Sequence, residues 1–195
     1  MRVVAGTARG RRLVTPAGQG TRPTLDRVRE SLFNALGSLD VVVGAEVLDL
    51  FAGSGALGIE ALSRGAARCT FVDDDRAARA AVEANLRSTG FTEVATVVAG
   101  DALAWLGGPG AAARFDLVLC DPPYAFTDGQ WAVVFAALVH LVRGADGGPG
   151  VVVVESDRSL PCPEGWHPLR SKAYGDTIVS VLQPPDGPRT DGRRA

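Results

Sequence analysis

Along most of the chain, short apolar runs alternate with segments in which hydrophobic residues recur at helical spacing. Short apolar runs rich in β-branched residues, typical of buried strands, occupy 47–51, 69–73, 94–98, 115–120 and 151–155. Between these runs, apolar residues recur at helical spacing over about 56–64, 75–89, 101–106 and 129–143. This alternation predicts an α/β fold, in which helices cover both faces of a mostly parallel sheet.

The N-terminal segment follows a different pattern. Residues 2–5 and 11–14 are β-rich and flank a turn-prone stretch, which predicts a small β-hairpin carrying arginines. After it, Thr24 can cap a helix whose apolar positions recur at helical spacing and end near Gly37.

The C-terminal segment differs from the parallel strands before it. Residues 177–182 form an apolar run that follows a strand near 166–170 after only a short connection. Such a short connection predicts an antiparallel hairpin at one edge of the sheet. Residues 184–195 are polar and proline-rich, so we expect them to fray.

Length and composition predict one main domain. The chain has 195 residues, of which 46% are hydrophobic and 22% charged, as in globular proteins. We divide it into an N-terminal extension (1–20), a main domain (21–183) and a tail (184–195). No apolar run is long enough to cross a bilayer, and the N-terminus does not resemble a signal peptide, so we expect a cytoplasmic protein.

Charge is distributed unevenly along the chain. The net charge is −2, yet residues 1–29 hold seven arginines against one acid and carry +6, which leaves −8 for the rest. This asymmetry predicts that the N-terminal end faces a polyanion, although a set of solvated surface charges is the alternative. Three cysteines without a C-x-x-C pair, and only two histidines, give no zinc-site spacing, so we expect reduced thiols and no metal.

A glycine-rich turn follows the first strand of the predicted sheet. Gly53, Gly55 and Gly58 fit the G-x-G-x-x-G spacing of a nucleotide-binding loop. The glycines let the backbone approach a ligand closely, and the N-terminus of the next helix favours an anion. On these residues alone, a pyrophosphate and a small carboxylate fit equally well.

Asp49 distinguishes between these two ligands. It lies four residues before Gly53, close to the expected position of the ligand. At a distance of a few ångströms, a carboxylate would repel a pyrophosphate by an energy on the order of several kcal/mol. S-adenosylmethionine instead presents an ammonium and a sulfonium to Asp49 and a carboxylate to the loop. The alternative interpretation of Asp49 is a residue at the strand end that caps a local turn.

Further acids follow the second and third strands. The second strand ends in three consecutive aspartates, of which Asp73 is the best candidate for a ribose diol, while Asp75 suits a helix cap. Asp101 follows the third strand and could accept the adenine amino group or cap the next helix. A ribose-binding acid is equally compatible with a dinucleotide.

The fourth strand runs into Asp121-Pro122-Pro123-Tyr124, which suits methylation of an exocyclic amine. Such a nitrogen is a poor nucleophile, because its lone pair is delocalised into the ring. Asp121 can accept one N–H and the Pro122 carbonyl another, which stabilises the charge that develops on nitrogen. The prolines stiffen the turn and Tyr124 offers a stacking surface, so the target base must be unpaired or flipped.

The stretches RVVAGTARG (2–10), TRPTLDRVRE (21–30) and 47–58, with the Asp121 motif, resemble the RsmD family of bacterial 16S rRNA guanine-N2 methyltransferases. The resemblance runs from residue 1 to about 182. It implies a Rossmann-like class I methyltransferase fold with seven strands, S-adenosylmethionine as the methyl donor, and guanine 966 of 16S rRNA in the small ribosomal subunit as the acceptor. Many relatives are expected to have Glu where this chain has Asp73.

The resemblance also implies roles for individual residues. Catalysis falls to Asp121, Pro122, Pro123 and Tyr124. The candidate cofactor contacts are Thr21, Arg22, Pro23, Asp49, Phe51, Gly53, Ser54, Gly55, Asp73, Asp74 and Asp101. The candidate RNA contacts are Arg9, Arg11, Arg12 and Arg27. We expect a monomer with no membrane segment.

Three other functions stay open on the sequence alone. DNA methyltransferases that modify amino groups share the Asp121 motif, although no target-recognition domain is evident. An RNA-binding module could retain the cofactor pocket without turnover. An NAD-dependent dehydrogenase is disfavoured by Asp49 and by the lack of an evident acid or base for hydride transfer.

Overall fold

A computed structural model describes residues 1–16, 23–123, 125–143 and 150–185, with the backbone alone at 23–25. Its helices are α1 (Pro23–Ser38), α2 (Ala56–Ser63), α3 (Arg76–Thr89), α4 (Ala102–Gly107) and α5 (Asp128–Leu141). Its strands are β1 (Glu46–Leu50), β2 (Arg68–Asp73), β3 (Ala95–Ala99), β4 (Leu117–Cys120), β5 (Val151–Ser156), β6 (His167–Tyr174) and β7 (Thr177–Gln183). A short 3₁₀ turn (Thr92–Val94) precedes β3.

The strands form one seven-stranded sheet in the order β3-β2-β1-β4-β5-β7-β6. The first five strands are parallel, while β7 runs antiparallel to both β5 and β6. This arrangement confirms the predicted fold, including the C-terminal hairpin at the edge. The fourth strand begins at Leu117 rather than 115, because Phe115 forms an isolated bridge with Val142.

Helices cover both faces of the sheet, since parallel strands must be buried on both sides. On one face, α1, α2 and α3 pack on the side chains of Val47, Phe71, Leu117, Val151 and Val181. On the other face, α4 and α5 pack on the alternate residues, such as Leu48, Val72 and Val152. The two cores account for the alternation of buried positions along each strand.

The N-terminal extension is less regular than the predicted hairpin. Strands were expected at 2–5 and 11–14, but the extension has a single bridge, between Arg2 and Arg12. The peptide N–H groups of Val4 and Ala5 instead donate to the carboxylate of Glu60, at 2.8 and 3.0 Å. A helix side chain thus replaces the strand partner that a regular hairpin would need.

The start of α1 also differs from the sequence prediction. The helix begins at Pro23, so Thr24 lies within it and is not its cap. Proline fits the first helical position, because its missing N–H would have no partner there and its φ angle is already helical.

Glu60 is the anchor of the extension and was not recognised in the sequence. Its side chain is fully buried and, besides the two peptide groups, accepts a hydrogen bond from Arg64 Nε at 2.8 Å. The Nε of Arg29, also buried, lies 3.6 Å from the other carboxylate oxygen, and an NH2 group of Arg29 donates to the Arg2 carbonyl. One carboxylate therefore joins the extension to α1 and α2.

Replacing Glu60 should destabilise the protein strongly. Glu60→Ala leaves two peptide N–H groups and two guanidinium groups without their carboxylate, and we expect a loss of about 3–5 kcal/mol in the free energy of unfolding. Urea unfolding followed by circular dichroism measures the change. Glu83→Ala, which removes an exposed acid 4.0 Å from Arg87, is the control and should cost below about 0.5 kcal/mol. Equal losses in the two variants would contradict the anchoring role.

Candidate functional site

The glycine loop and the Asp121 turn lie on either side of the point where strand order reverses. From β1 the chain proceeds outward through β2 and β3, and it then returns to β4 on the opposite side of β1. Leu50 of β1 pairs with Cys120 of β4, so Phe51 and Asp121 leave neighbouring strands side by side. Ligands of open α/β sheets bind in the crevice at such a reversal.

The glycine loop turns sharply as it leaves β1. Phe51, Gly53 and Gly55 have positive φ angles of 66°, 54° and 73°. The backbone N–H groups of Phe51 and Ala52 both donate to the Val72 carbonyl at 3.1 Å, which ties the loop to β2. The non-glycine residue in the left-handed region, Phe51, is a position of backbone strain of the kind that concentrates at functional sites.

The third glycine of the motif serves helix packing. A Cβ atom at Gly58 would lie 2.4 Å from Phe71 Cε1 and 2.6 Å from Cys69 Sγ. Only glycine lets α2 approach β2 this closely.

Asp49 supports the loop from below. Its side chain is 1% exposed, and its Oδ2 accepts a hydrogen bond from the Gly58 N–H at 2.9 Å. Burial raises the pKa of Asp49 to about 8; the Gly58 hydrogen bond opposes this rise, while the charges of Asp121 and Asp73 add to it. The contact with Gly58 is the local backbone role that the sequence left open, and contact with a ligand cation stays a prediction.

Asp73 reaches the loop from β2. Its Oδ2 accepts from Gly53 N at 2.7 Å and its Oδ1 from Asp75 N at 2.9 Å. Each carboxylate oxygen has a second lone pair, so Asp73 can accept further hydrogen bonds. Of the three aspartates, Asp73 alone contacts the glycine loop among the described hydrogen bonds.

The other acids after β2 and β3 have local partners. Asp75 caps α3 by accepting from Ala77 N at 2.6 Å, as predicted. Asp101 caps α4 by accepting from Ala104 N at 2.8 Å, which leaves its second oxygen for another donor. Asp74 is exposed, and its backbone carbonyl accepts a hydrogen bond from Arg79.

The Asp121 turn is closed by a hydrogen bond from Phe126 N to the Pro123 carbonyl at 3.0 Å. Surrounding protein raises the pKa of Asp121 to about 6, although its side chain is exposed at the mouth of the crevice. A carboxylate with this pKa is mostly ionised at neutral pH. Tyr124 lies outside the described residues.

Glu155 is a further acid of the site that the sequence interpretation missed. Val154 of β5 pairs with Cys120 of β4, so the residues that come next, Glu155 and Asp121, lie side by side. Burial, and then the Asp121 charge, raise the pKa of Glu155 to about 8. The signal in the sequence was an acid directly after the apolar run 151–154, the same pattern that drew attention to Asp73.

Aromatic side chains fix the two motifs relative to each other. The Phe51 ring meets the Phe126 ring edge-on at 5.2 Å, and Phe126 meets Trp131 of α5 at 5.0 Å. The loop after β5 adds a tie, since Arg158 donates to the Phe126 carbonyl at 2.9 Å. The glycine loop and the Asp121 turn are therefore held by the same packed cluster.

Asn85 of α3 connects the extension to the glycine loop and was also missed. Its side-chain amide accepts from Val14 N at 2.8 Å and donates at 2.9 Å to the carbonyls of both Val14 and Ser54. Like Ser54, it is buried. A polar residue on the buried side of a helix was the signal that could have found it.

The predicted RNA-facing arginines lie at the surface. Arg9, Arg11 and Arg12 are exposed on the extension, and Arg27 is exposed on α1. Thr21 and Arg22 lie outside the described residues, and only the backbone of Pro23 is described.

Neither a membrane span nor a metal site is found in the part of the chain that the structure describes. No helix there has the length and apolar character needed to cross a bilayer. No group of three or more His, Cys, Asp or Glu side chains there could hold a metal ion.

Removing the Asp49 charge should stabilise the protein in a pH-dependent way. Because folding raises the pKa of Asp49 from 3.8 to about 8, the folded state prefers the protonated form, and the buried charge costs stability as pH rises between these values. Asp49→Asn should therefore gain stability over wild type from pH 4 toward pH 8, by at most about 1.4 kcal/mol per pH unit. Thermal unfolding at several pH values measures this, and a difference independent of pH would contradict it.

Known proteins share both the sequence and the fold. Residues 1–183 match the family described as "Conserved hypothetical protein 95". The "Ribosomal RNA small subunit methyltransferase D" of Escherichia coli K12 is 46% identical over 184 residues, which cover 94% of this chain and 89% of the relative.

Solved structures agree with this match. A methyltransferase structure from Escherichia coli superposes with a TM-score of 0.81 at 36% identity, covering 96% of this chain and 99% of its own. A more distant methyltransferase, solved in complex with SAH, has a TM-score of 0.66 at 15% identity, covers 84% of this chain and 50% of its own, and shares the fold alone. The chain belongs to the family described as "Conserved hypothetical protein 95", the RsmD family that its sequence motifs resemble.

Proposed function

We propose that this protein transfers a methyl group from S-adenosylmethionine to the 2-amino group of guanine 966 in 16S rRNA of the small ribosomal subunit. The observation that carries the proposal is the position of Asp121. It leaves β4 beside the glycine loop of β1, in a chain whose relatives are named as methyltransferases of small-subunit rRNA. This position supports a role for the carboxylate in holding an amine against a cofactor bound at the loop.

The residues around the glycine loop fit the donor. Loop N–H groups and the N-terminus of α2 suit its carboxylate, while the free lone pairs of Asp73 suit a ribose diol. Asp121 is mostly ionised at neutral pH, and a bound cation would favour the ionised forms of Asp49 and Glu155, whose pKa values burial raises to about 8. The crevice therefore favours an ammonium and a sulfonium over a pyrophosphate. When bound, S-adenosylmethionine supplies an electrophilic methyl group on a positive sulfur.

The Asp121 turn positions the acceptor amine. The Asp121 carboxylate accepts one N–H and the Pro122 carbonyl the other, which directs the nitrogen lone pair toward the methyl group. Both oxygens stabilise the positive charge that develops on nitrogen. As the nitrogen gains the methyl group it loses a proton, and the exposed Asp121 can pass that proton to solvent.

The remaining assignments follow from this reaction. The target guanine must be unpaired or flipped to reach the crevice, where Tyr124 offers a stacking surface. Phe51 and Ser54 shape the cofactor side of the loop, and Thr21, Arg22 and Pro23 lie beside the cofactor. Arg9, Arg11, Arg12 and Arg27 contact RNA phosphates. We expect a metal-independent cytoplasmic monomer, with the domain boundaries proposed from the sequence.

Nucleoside analysis tests the function directly. Mass spectrometry of 16S rRNA from a strain that lacks the gene should show loss of one N2-methylguanosine, restored by the wild-type gene. In vitro, radiolabelled methyl transfer should occur to unmethylated small subunits or 16S rRNA and not to duplex DNA. An unchanged N2-methylguanosine level, or transfer to DNA alone, would refute the proposal.

Two substitutions separate the charge of Asp121 from its hydrogen-bonding capacity. As pH falls through about 6, protonation of wild-type Asp121 removes its charge, so single-turnover methyl transfer should slow toward a tenfold loss per pH unit. Asp121→Asn keeps an acceptor oxygen that does not titrate, so its rate should fall by about 10²-fold but lose this acid limb.

Asp121→Ala loses the acceptor as well and should be slower still. Both variants should bind S-adenosylmethionine nearly as tightly as wild type in calorimetric titration. A large loss of cofactor affinity, or an acid limb that persists in Asp121→Asn, would assign the acid limb and the role to another group.

A further inference from the structure

A polar groove runs between α1 and the edge strand β6, apart from the crevice described above. Its volume is about 370 Å³, near the lower end of the range for ligand clefts. From α1 it is lined chiefly by Arg27, Glu30, Ser31, Asn34 and Ser38, which recur every three or four residues and so share one face of the helix. Apart from the half-buried Ser31, these five residues are exposed.

The β6 side of the groove carries two cations. Arg170, which lines the groove, pairs with Val181 of β7, and Lys172 pairs with Val179. Both valines are buried in the core that α1 covers, so Arg170 and Lys172 lie on the α1 side of β6. Two positions further along the strand, the Tyr174 hydroxyl donates to Ser31 Oγ at 2.7 Å and ties β6 to α1 beside the groove.

The charges of the groove favour a polyanion. Against Arg27, Arg170 and Lys172, the single acid among the residues that line the groove is Glu30. The other acid of α1, Asp26, pairs with Arg29 and Arg2. None of the ion pairs between described residues involves the three cations, whereas Arg29 and Arg64 nearby are paired with Glu60. Lys172 Nζ lies 4.8 Å from the centre of the Tyr174 ring, and none of the three cations has a carboxylate partner among the described residues. A polar groove with such cations and with hydroxyl and amide groups matches the phosphates and 2′-hydroxyls of RNA.

The groove begins near the catalytic edge of the sheet. Tyr174 pairs with Thr177, and the neighbouring Ile178 pairs with Ser156, the residue after Glu155. Tyr174, and with it the part of the groove beside Ser31, therefore lies toward the same edge of the sheet as Asp121. On its other flank α1 contacts the extension, since Asp26 lies 3.8 Å from Arg2. The groove thus continues the arginine-rich surface of the extension across α1.

We propose that this groove binds the sugar–phosphate backbone of the RNA strand that carries the target guanine. The inference rests on the proposed function and extends it, because it assigns to the β6–β7 hairpin a role in substrate binding. The contacts are independent of sequence and position the strand, while the crevice selects the base.

The salt dependence of binding tests the groove directly. The probe is unmethylated 16S rRNA, titrated by filter binding between about 50 and 200 mM salt. The variant Arg27→Ala/Arg170→Ala/Lys172→Ala should bind at least about tenfold more weakly, and the slope of log K against log salt should become shallower by about two to three. The control is Arg87→Ala, which removes an exposed arginine on α3 at the other end of the sheet. Its slope of log K against log salt should change by at most one third as much as that of the triple variant.

A second variant does not depend on removing side chains that the fold could need. Glu30→Gln removes the negative charge of the groove and should tighten rRNA binding by about threefold, because Glu30 no longer competes with the RNA phosphates for the cations. Glu83→Gln, an equally conservative change on α3, should leave the affinity unchanged.

The outcomes separate this inference from the proposed function. A triple variant with the salt slope of wild type, or a Glu30→Gln variant with unchanged affinity, would overturn the groove assignment even if methyl transfer to 16S rRNA is intact. Wild-type protein that binds rRNA through the groove without methylating it would support the groove and refute the proposed function. Cofactor titration of each variant should give the wild-type affinity, since the groove does not line the crevice.

Discussion

The buried carboxylate of Asp49 holds the first turn of α2 against the end of β1, and the shape of the glycine loop depends on this contact. The Gly58 N–H that it accepts is free to point at Asp49 only because Gly58 lets α2 approach Phe71 and Cys69. A larger residue there would push the helix away and open the loop. Burial of this acid costs folding free energy, and the acid lies at the point where a cationic donor is proposed to bind.

Two opposite electrostatic surfaces are kept close together by the way the extension is attached. Acids concentrate at the carboxyl edge of the parallel strands, whereas the extension carries exposed arginines. Glu60 anchors the extension through hydrogen bonds to its buried carboxylate, and Asn85 joins the end of the extension to the carbonyl of Ser54 in the glycine loop. A junction of this kind keeps the acidic crevice, where a cationic donor is proposed to bind, beside the arginine-rich surface that is proposed to face RNA.

The sequence predicted the fold well because the signals for it are local. β-branched runs and helical spacing gave the elements of the sheet, and the short connection after 166–170 gave the antiparallel hairpin. Predictions were less accurate where a distant side chain replaced a local partner. The extension is not a regular hairpin because Glu60, more than fifty residues away, accepts its peptide groups. The cap proposed at Thr24 failed because Pro23 already suits the first helical position.

By itself the sequence determined the family, the order of the elements, and the two motifs that follow β1 and β4, since each is written in consecutive residues. Only the tertiary structure decided that Glu155 stands beside Asp121, that Asn85 reaches Ser54, and that Arg27 shares a groove with Arg170. Those relations depend on strand register and helix packing, which bring together residues far apart in the chain. Their energies arise from burial and from charges a few ångströms apart, quantities that exist once the chain has folded.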